Sequence, residues 1–224
     1  MVSLETSSPL AVMGHIQKHT TEERAVADEL TAVFDESALP VAQRLQGFAR
    51  HVRRQDISRF LAKYEIFRLS MAAHGSIVEC GVFAGAGLFS WYHFASILEP
   101  YNHSRRLIGF DMFQGFPSVA ARDVEYGTSE HLHDGALQSH AGMAVEIERL
   151  ARIHDRNRAL GHIPRVALVQ GDATITIPEY VEKNPHLLIS LLYLDFDLFE
   201  PTKVALDHRF PGVAHAEELL ASMS

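Results

Sequence analysis

Five carboxylates stand where apolar runs give way to polar ones: Glu79, Asp111, Asp172, Asp195 and Asp197. The runs are SIVECGV, RRLIGFD, RVALVQGDA and LLISLLYLDFD, each rich in β-branched or aliphatic residues. Ligands of open parallel sheets collect beyond the carboxyl ends of the strands, so acidic groups at successive strand ends imply one shared polar crevice. Asp111 can accept hydrogen bonds from both hydroxyls of a ribose, or cap the MFQGFP turn that follows it. Asp172, in GDA, can accept from an adenine amino group or simply close a turn. Asp195 and Asp197 lie two apart on an expected strand, which puts both on one face. Two such carboxylates make a partial Mg²⁺ site, since that ion keeps several of its waters. With Glu200 and Pro201 following, Asp197 also fits a helix N-terminal box.

The first strand end also carries Gly81, Gly85 and Gly87. Glycine is used where a backbone turns sharply or approaches something closely. The spacing is G-x-x-x-G-x-G, not the G-x-G-x-x-G that rests a pyrophosphate on a helix N-terminus, so an NAD-type reading is disfavoured. A loop with Glu79 two residues ahead of the first glycine suits a ligand without phosphates, such as the sulfonium and amino-acid tail of S-adenosylmethionine. A plain tight turn is the other reading. Among fourteen histidines, His131 and His133 in SEHLHDG are candidates for a metal pair or a general base, and an exposed polar loop explains them equally. His74, His93 and His154 fall in helical patterns and read as surface or packing residues.

These groups need elements to hold them. Continuous apolar runs without alternation are expected of parallel strands buried on both faces. Helical patterns lie between them, at Ala84 to Leu98, Ala141 to Leu160 and Ile177 to Lys183. Ahead of them, Glu22 to Phe34 and Val41 to Arg53 read as helices, and Asp56 to His74 is a stronger one. There, Ile57, Phe60, Leu61, Tyr64, Phe67 and Met71 form an apolar stripe, Asp56 is the expected N-cap and Gly75 the stop. Alternating strands and helices predict an α/β, doubly wound sheet behind an N-terminal helical layer. Residues 1–55 are expected to form a helical or lid segment and 56–224 the sheet domain, in one compact body. The long polar interval from Pro117 to His140 follows a strand end and reads as a lid.

Bulk properties narrow the function classes. The chain has 224 residues, 47% hydrophobic and 21% charged, with a formal net charge of -8 and no dense Lys/Arg run. That disfavours nucleic acid and acidic membranes as partners. Arg53-Arg54 reads as a solvated helix face. A single cysteine, Cys80, excludes an internal disulfide framework and a multi-cysteine zinc site, and reads as a small core residue. The N-terminus lacks the pattern of a signal peptide and no apolar run is long enough for a membrane span, so a cytoplasmic protein is expected.

Together ECGVFAGAG, GFDMFQGFP, QGDA and LYLDFDLFEPT resemble the macrocin O-methyltransferase family of class I S-adenosylmethionine-dependent enzymes, over about Asp56 to Lys203. The resemblance implies a Rossmann-like sheet with the cofactor over Glu79, Gly81, Val82 and Gly85. It implies Asp111 on the ribose, Met112 and Phe113 lining the cofactor, and Asp172 and Ala173 at the adenine. It also implies a Mg²⁺ on Asp195, with Asp197 as the second candidate ligand, orienting neighbouring hydroxyls of a sugar on a small natural product. Asp195 and His133 are then the candidate catalytic residues, His133 as the base. After Lys203 the sequence VALDHRFPGVAHAEELLASMS departs from the family, which continues through a further strand. The sheet is therefore expected to be shortened at its C-terminal strands, with Asp207 and His208 as the nearby substitutes for the remaining metal carboxylates. An exposed sheet edge would need cover from Ala214 to Met223 or from a second subunit, which predicts a homo-oligomer. The alternative function is a catalytically impaired S-adenosylmethionine-binding or scaffold protein derived from the same family.

Overall fold

In the computed structural model the described residues are 20–116, 119, 123 and 133–207. The first nineteen residues, His131, His208 and Ala214 to Met223 lie outside them. The chain divides into two compact units, Met1–Ala62 and Lys63–Ser224, with the division inside a helix.

The first unit begins with α1 (Thr21–Glu36), started by a capping box in which Thr20 and Glu23 satisfy each other's backbone N–H. Next is α2 (Val41–Gln46). It stops well short of the expected Arg53, because Gly47 ends it and a single 3-10 turn, Phe48–Arg50, follows. Then α3 (Arg54–Ser70) crosses the division. Asp56 sits in its first turn rather than at its cap, and Arg53 donates to both Asp56 oxygens at 2.9 and 2.8 Å. Arg53 is thus a buried partner and not a solvated face. The apolar stripe of α3 is only partly used: Phe67 is fully buried, whereas Phe60, Leu61 and Met71 are exposed.

The second unit carries a four-stranded parallel sheet in the order β3-β2-β1-β4. Its strands are β1 (Ser76–Cys80), β2 (Leu107–Asp111), β3 (Val166–Gln170) and β4 (Ile189–Leu194). The crossovers are α4 (Ala86–Leu98), α5 (Met143–Asp155) and α6 (Ala173–Lys183), and α7 (Phe199–Asp207) follows β4. α6 begins at once after Asp172 rather than at Ile177, because Asp172 caps it. Leu88, Trp91 and Ile147 join Ile77 and Leu107 in a core on one face of the sheet; Ile177 and Ala205 join Val78, Cys80 and Ile108 on the other. The chain is therefore doubly wound, and the order reverses between β1 and β4, the position where ligands of this architecture bind. Among the described residues β4 pairs with β1 alone, and residues 190–194 are only half-buried where β1 is buried throughout. This is the Rossmann-like fold expected, with four strands among the described residues.

The opposite, amino-terminal end of the sheet is tied by Arg105, 2% exposed. Its guanidinium donates to the carbonyls of Ser70, Ala73 and Gly75 and to Ser190 Oγ, and pairs with Glu99. One side chain therefore joins the end of α3, the entry to β1, β4 and the end of α4. Replacing Arg105 by Met should strand Glu99 and three carbonyls and cost about 3–5 kcal/mol, read as a lower urea midpoint at unchanged slope.

Candidate active site

At the carboxyl ends of the strands, Asp111 is the organising group. Its Oδ2 accepts from the backbone N–H of Val82 at 2.8 Å and of Phe83 at 2.7 Å, and its Oδ1 from Phe113 N–H at 2.6 Å. The peptide of the same residue accepts from Gly171 N–H at 3.0 Å. The loop after β1, the loop after β2 and the turn before Asp172 are thus joined through one residue. A carboxylate offers about four lone-pair sites, and three are taken by backbone, so one at Oδ1 remains for a ribose hydroxyl without rearrangement. The turn-capping role is therefore realised, and it does not use up the carboxylate's acceptor capacity.

The glycines have individual reasons. A Cβ on Gly81 would lie 2.2 Å from the Asp195 carbonyl, and its φ of +95° is left-handed. Bare backbone here lets β1 and β4 close on each other, with Asp195 N–H donating to Cys80 O at 2.7 Å. A Cβ on Gly87 would lie 1.9 Å from Glu79 Oε1; the first turn of α4 is left open for that carboxylate. Gly85 caps α4 in the left-handed region. The expected open cradle at these glycines is therefore, in part, filled by the protein's own groups. Backbone strain gathers at the same end of the sheet, where Phe83, Phe113 and Asp197 hold φ of 50°, 59° and 56°, a pattern common at functional sites.

The other expected residues are placed as follows. Val82 and Phe113 are buried and Met112 is half-buried beside them. Asp172 is the N-cap of α6, its Oδ1 accepting from both Thr174 N–H and Thr174 Oγ1 at 2.9 and 2.7 Å, with Ala173 buried next to it. Asp195 and Asp197 are exposed beyond β4. The strand ends at Leu194 and Asp197 has a positive φ, so the period-two argument for a shared face does not apply to them. Among the described residues no group of three or more His, Cys, Asp or Glu side chains is arranged to hold a metal. His133 is exposed, with Nδ1 3.1 Å from Asp134 O. Its segment is anchored to the loop after β2: Gly135 N–H donates to Phe116 O, Phe116 N–H to Ala136 O, and Ser139 Oγ to Phe113 O. From the same interval, Asp123 accepts Phe199 N–H at 2.8 Å, at the start of α7. Residues 135–139 thus touch the β2 end of the sheet and Asp123 the β4 end, while residues 117–118, 120–122 and 124–132 lie outside the described residues.

Glu79, 2% exposed, faces the same side of the sheet as its register neighbours Gly109 and Tyr193. Its Oε1 lies 3.6 Å from Lys63 Nζ. That ammonium sits 3.5 Å from the ring centre of Tyr193 and 4.8 Å from Trp91. Burial pushes the Glu79 carboxyl up to about 8, with Asp195 adding to the rise and Lys63 opposing it. Lys63, Trp91 and Tyr193 were not expected from sequence; the one signal was a lysine four residues before Phe67 in an otherwise apolar stripe. Burial also pushes the Cys80 thiol up, leaving it an inert core residue.

Two expectations follow. A carboxyl raised above its unfolded value stabilises the fold below the unfolded pKa and loses that contribution as pH rises through about 8. Glu79→Gln should therefore flatten the decline in unfolding free energy between pH 5 and 9, measured by urea titration at each pH. Asp111→Asn turns one acceptor into an NH₂ facing backbone N–H groups, and should cost about 2–4 kcal/mol by the same method.

Neither a protein-family model nor a curated protein sequence matches the chain. Solved structures do. The structure of CalS11, a calicheamicin methyltransferase, is similar with TM-score 0.81 and 30% identity, over 84% of this chain and 73% of that one. The apo structure of CalS11, described as a TDP-rhamnose 3′-O-methyltransferase of calicheamicin biosynthesis, gives 0.71 and 28% over the same shares, 84% and 73%. The O-methyltransferase NovP gives 0.50 and 21% over 69% of this chain and 60% of that one, a likeness of fold alone. With the class I methyltransferase fold and this identity, the chain belongs to the O-methyltransferase family that includes CalS11 and is an O-methyltransferase.

Proposed function

We propose that the protein transfers the methyl group of S-adenosylmethionine to a hydroxyl of a sugar, free or carried on a small natural product. The observation that supports this reading is the joining of three strand-end loops at Asp111, whose carboxylate stands between the Gly81–Gly85 loop and the Asp172 turn. The sugar comes from the similarity to CalS11, whose acceptor is TDP-rhamnose, and is a proposal for this chain, as is membership in the macrocin-type branch.

In this reading the remaining Asp111 acceptor site takes a ribose hydroxyl, Asp172 faces the adenine, and Phe113 and Met112 border the nucleoside. Glu79 and the Gly81–Gly85 backbone receive the methionine end. The acceptor oxygen attacks the methyl carbon in line with the departing sulfur. The C–O bond forms as the C–S bond breaks, and S-adenosylhomocysteine leaves with the bonding pair on sulfur. The hydroxyl proton passes to a base. His133 is proposed: its Nδ1 is turned to the Asp134 carbonyl, which leaves Nε2 as the basic nitrogen. A Mg²⁺ would rest on the exposed Asp195, with its other positions filled by water and the acceptor and without a shared strand face from Asp197, and would lower the pKa of the bound hydroxyl. The interval carrying His133 and Asp123 is proposed as the lid that excludes water. Location in the cytoplasm and assembly into a homo-oligomer through the β4 edge belong to the same reading.

Calorimetry with S-adenosylmethionine and with NAD, followed by methyl transfer to a panel of nucleotide sugars and glycosides, tests it. Binding of the first and not the second, with mass gain of one methyl on an acceptor, is expected. Binding of NAD alone would sink the reading. His133→Ala should lower turnover at least about tenfold with cofactor affinity kept. Transfer should fall on chelation and return with Mg²⁺; activity indifferent both to chelator and to Asp195→Ala removes the ion from the account.

A further inference from the structure

Three buried polar atoms of one cluster make no hydrogen bond, Lys63 Nζ, Glu79 Oε2 and Trp91 Nε1, and Lys63 is ion-paired with Glu79 Oε1 at 3.6 Å. Orphaned buried polar groups are rare and costly. Here they cluster against the first turn of α4, where Gly87 leaves space that a Cβ would fill, 1.9 Å from Glu79 Oε1 and 3.2 Å from Lys63 Nζ. The lysine cannot swing away: Tyr193 and Trp91, packed edge to face at 5.5 Å, wall it in and attract its charge through their ring faces.

We propose that Lys63 is a positioning residue of the cofactor site, fixing Glu79 through Oε1 so that Oε2 meets the α-ammonium at the methionine end of S-adenosylmethionine. This rests on the reading of the Gly81–Gly85 loop given above. The charges suit it. Lys63 Nζ lies 3.6 Å from Glu79 Oε1 and favours the anionic form of that carboxylate, the form an incoming ammonium pairs with. Lys63 is committed to Glu79 Oε1 and to the faces of Tyr193 and Trp91, which keeps its charge on the acceptor and off the carboxylate of the tail. Its task is to hold the acceptor, while the cage holds it.

The test compares two ligands that share the thioadenosine and differ in the amino-acid tail: S-adenosylhomocysteine and 5′-methylthioadenosine. Titration calorimetry on the wild type should show the first binding at least about tenfold tighter. Lys63→Met should weaken S-adenosylhomocysteine by about tenfold, the size of one lost charge-assisted contact, and leave methylthioadenosine within about twofold. Lys63→Arg, which keeps the charge, should restore most of the difference. Should Lys63→Met fail to fold, Tyr193→Leu, which removes one wall of the cage, makes the same comparison. Equal weakening of both ligands, or no weakening of either, overturns the proposal and leaves the function reading intact. A wild type that binds neither ligand overturns both.

Discussion

A single carboxylate, Asp111, sets the geometry on which the rest of this end of the sheet depends. Three backbone N–H groups converge on it from two loops, and such charge-assisted bonds are about twice as strong as neutral ones. They hold Val82 and Phe83 back against β2 and so decide where α4 starts. The strained φ values of Phe83 and Phe113 persist because this carboxylate over-determines them. In the proposed reading the cofactor would enter a site whose walls are already drawn together, which lowers the ordering cost of binding.

The second constraint is spatial. Gly81 lets β4 close on β1, and the sheet order reverses at that seam. Both Glu79 beneath α4 and Asp195 beyond β4 are consequences of this approach, one buried and one exposed. Burial makes Glu79 dependent on its cation-π-held partner, whereas Asp195 keeps its solvent. Two carboxylates of similar chemistry thus stand in opposite environments, the arrangement by which one fold sets such groups apart.

Much of this was legible in the amino-acid sequence. Four continuous apolar runs became the four strands because parallel strands buried on both faces leave that trace, and the carboxylates read at their ends lie together at one end of the sheet. What was not legible depends on tertiary proximity. Nothing in G-x-x-x-G-x-G says that Gly87 makes room for Glu79, or that Gly81 faces the Asp195 backbone. Asp172 and Asp111 both serve as caps as well as candidate ligands, and local pattern cannot separate two roles for one oxygen pair. The Asp195–Asp197 face failed as an inference because the strand ended one residue earlier and a positive φ broke its period. Lys63 was visible only as an anomaly, a charge inside an apolar stripe, since its partners lie 16, 28 and 130 positions away along the chain.

The central claim is that the nucleoside of S-adenosylmethionine lies across the seam organised by Asp111. A crystal structure with S-adenosylhomocysteine bound tests it most directly. The account predicts a ribose hydroxyl on Asp111 Oδ1, the adenine at the Asp172 turn, and the Val82 and Phe83 N–H groups still on Oδ2. A nucleoside bound elsewhere, or one that engages this end without touching Asp111, would contradict it.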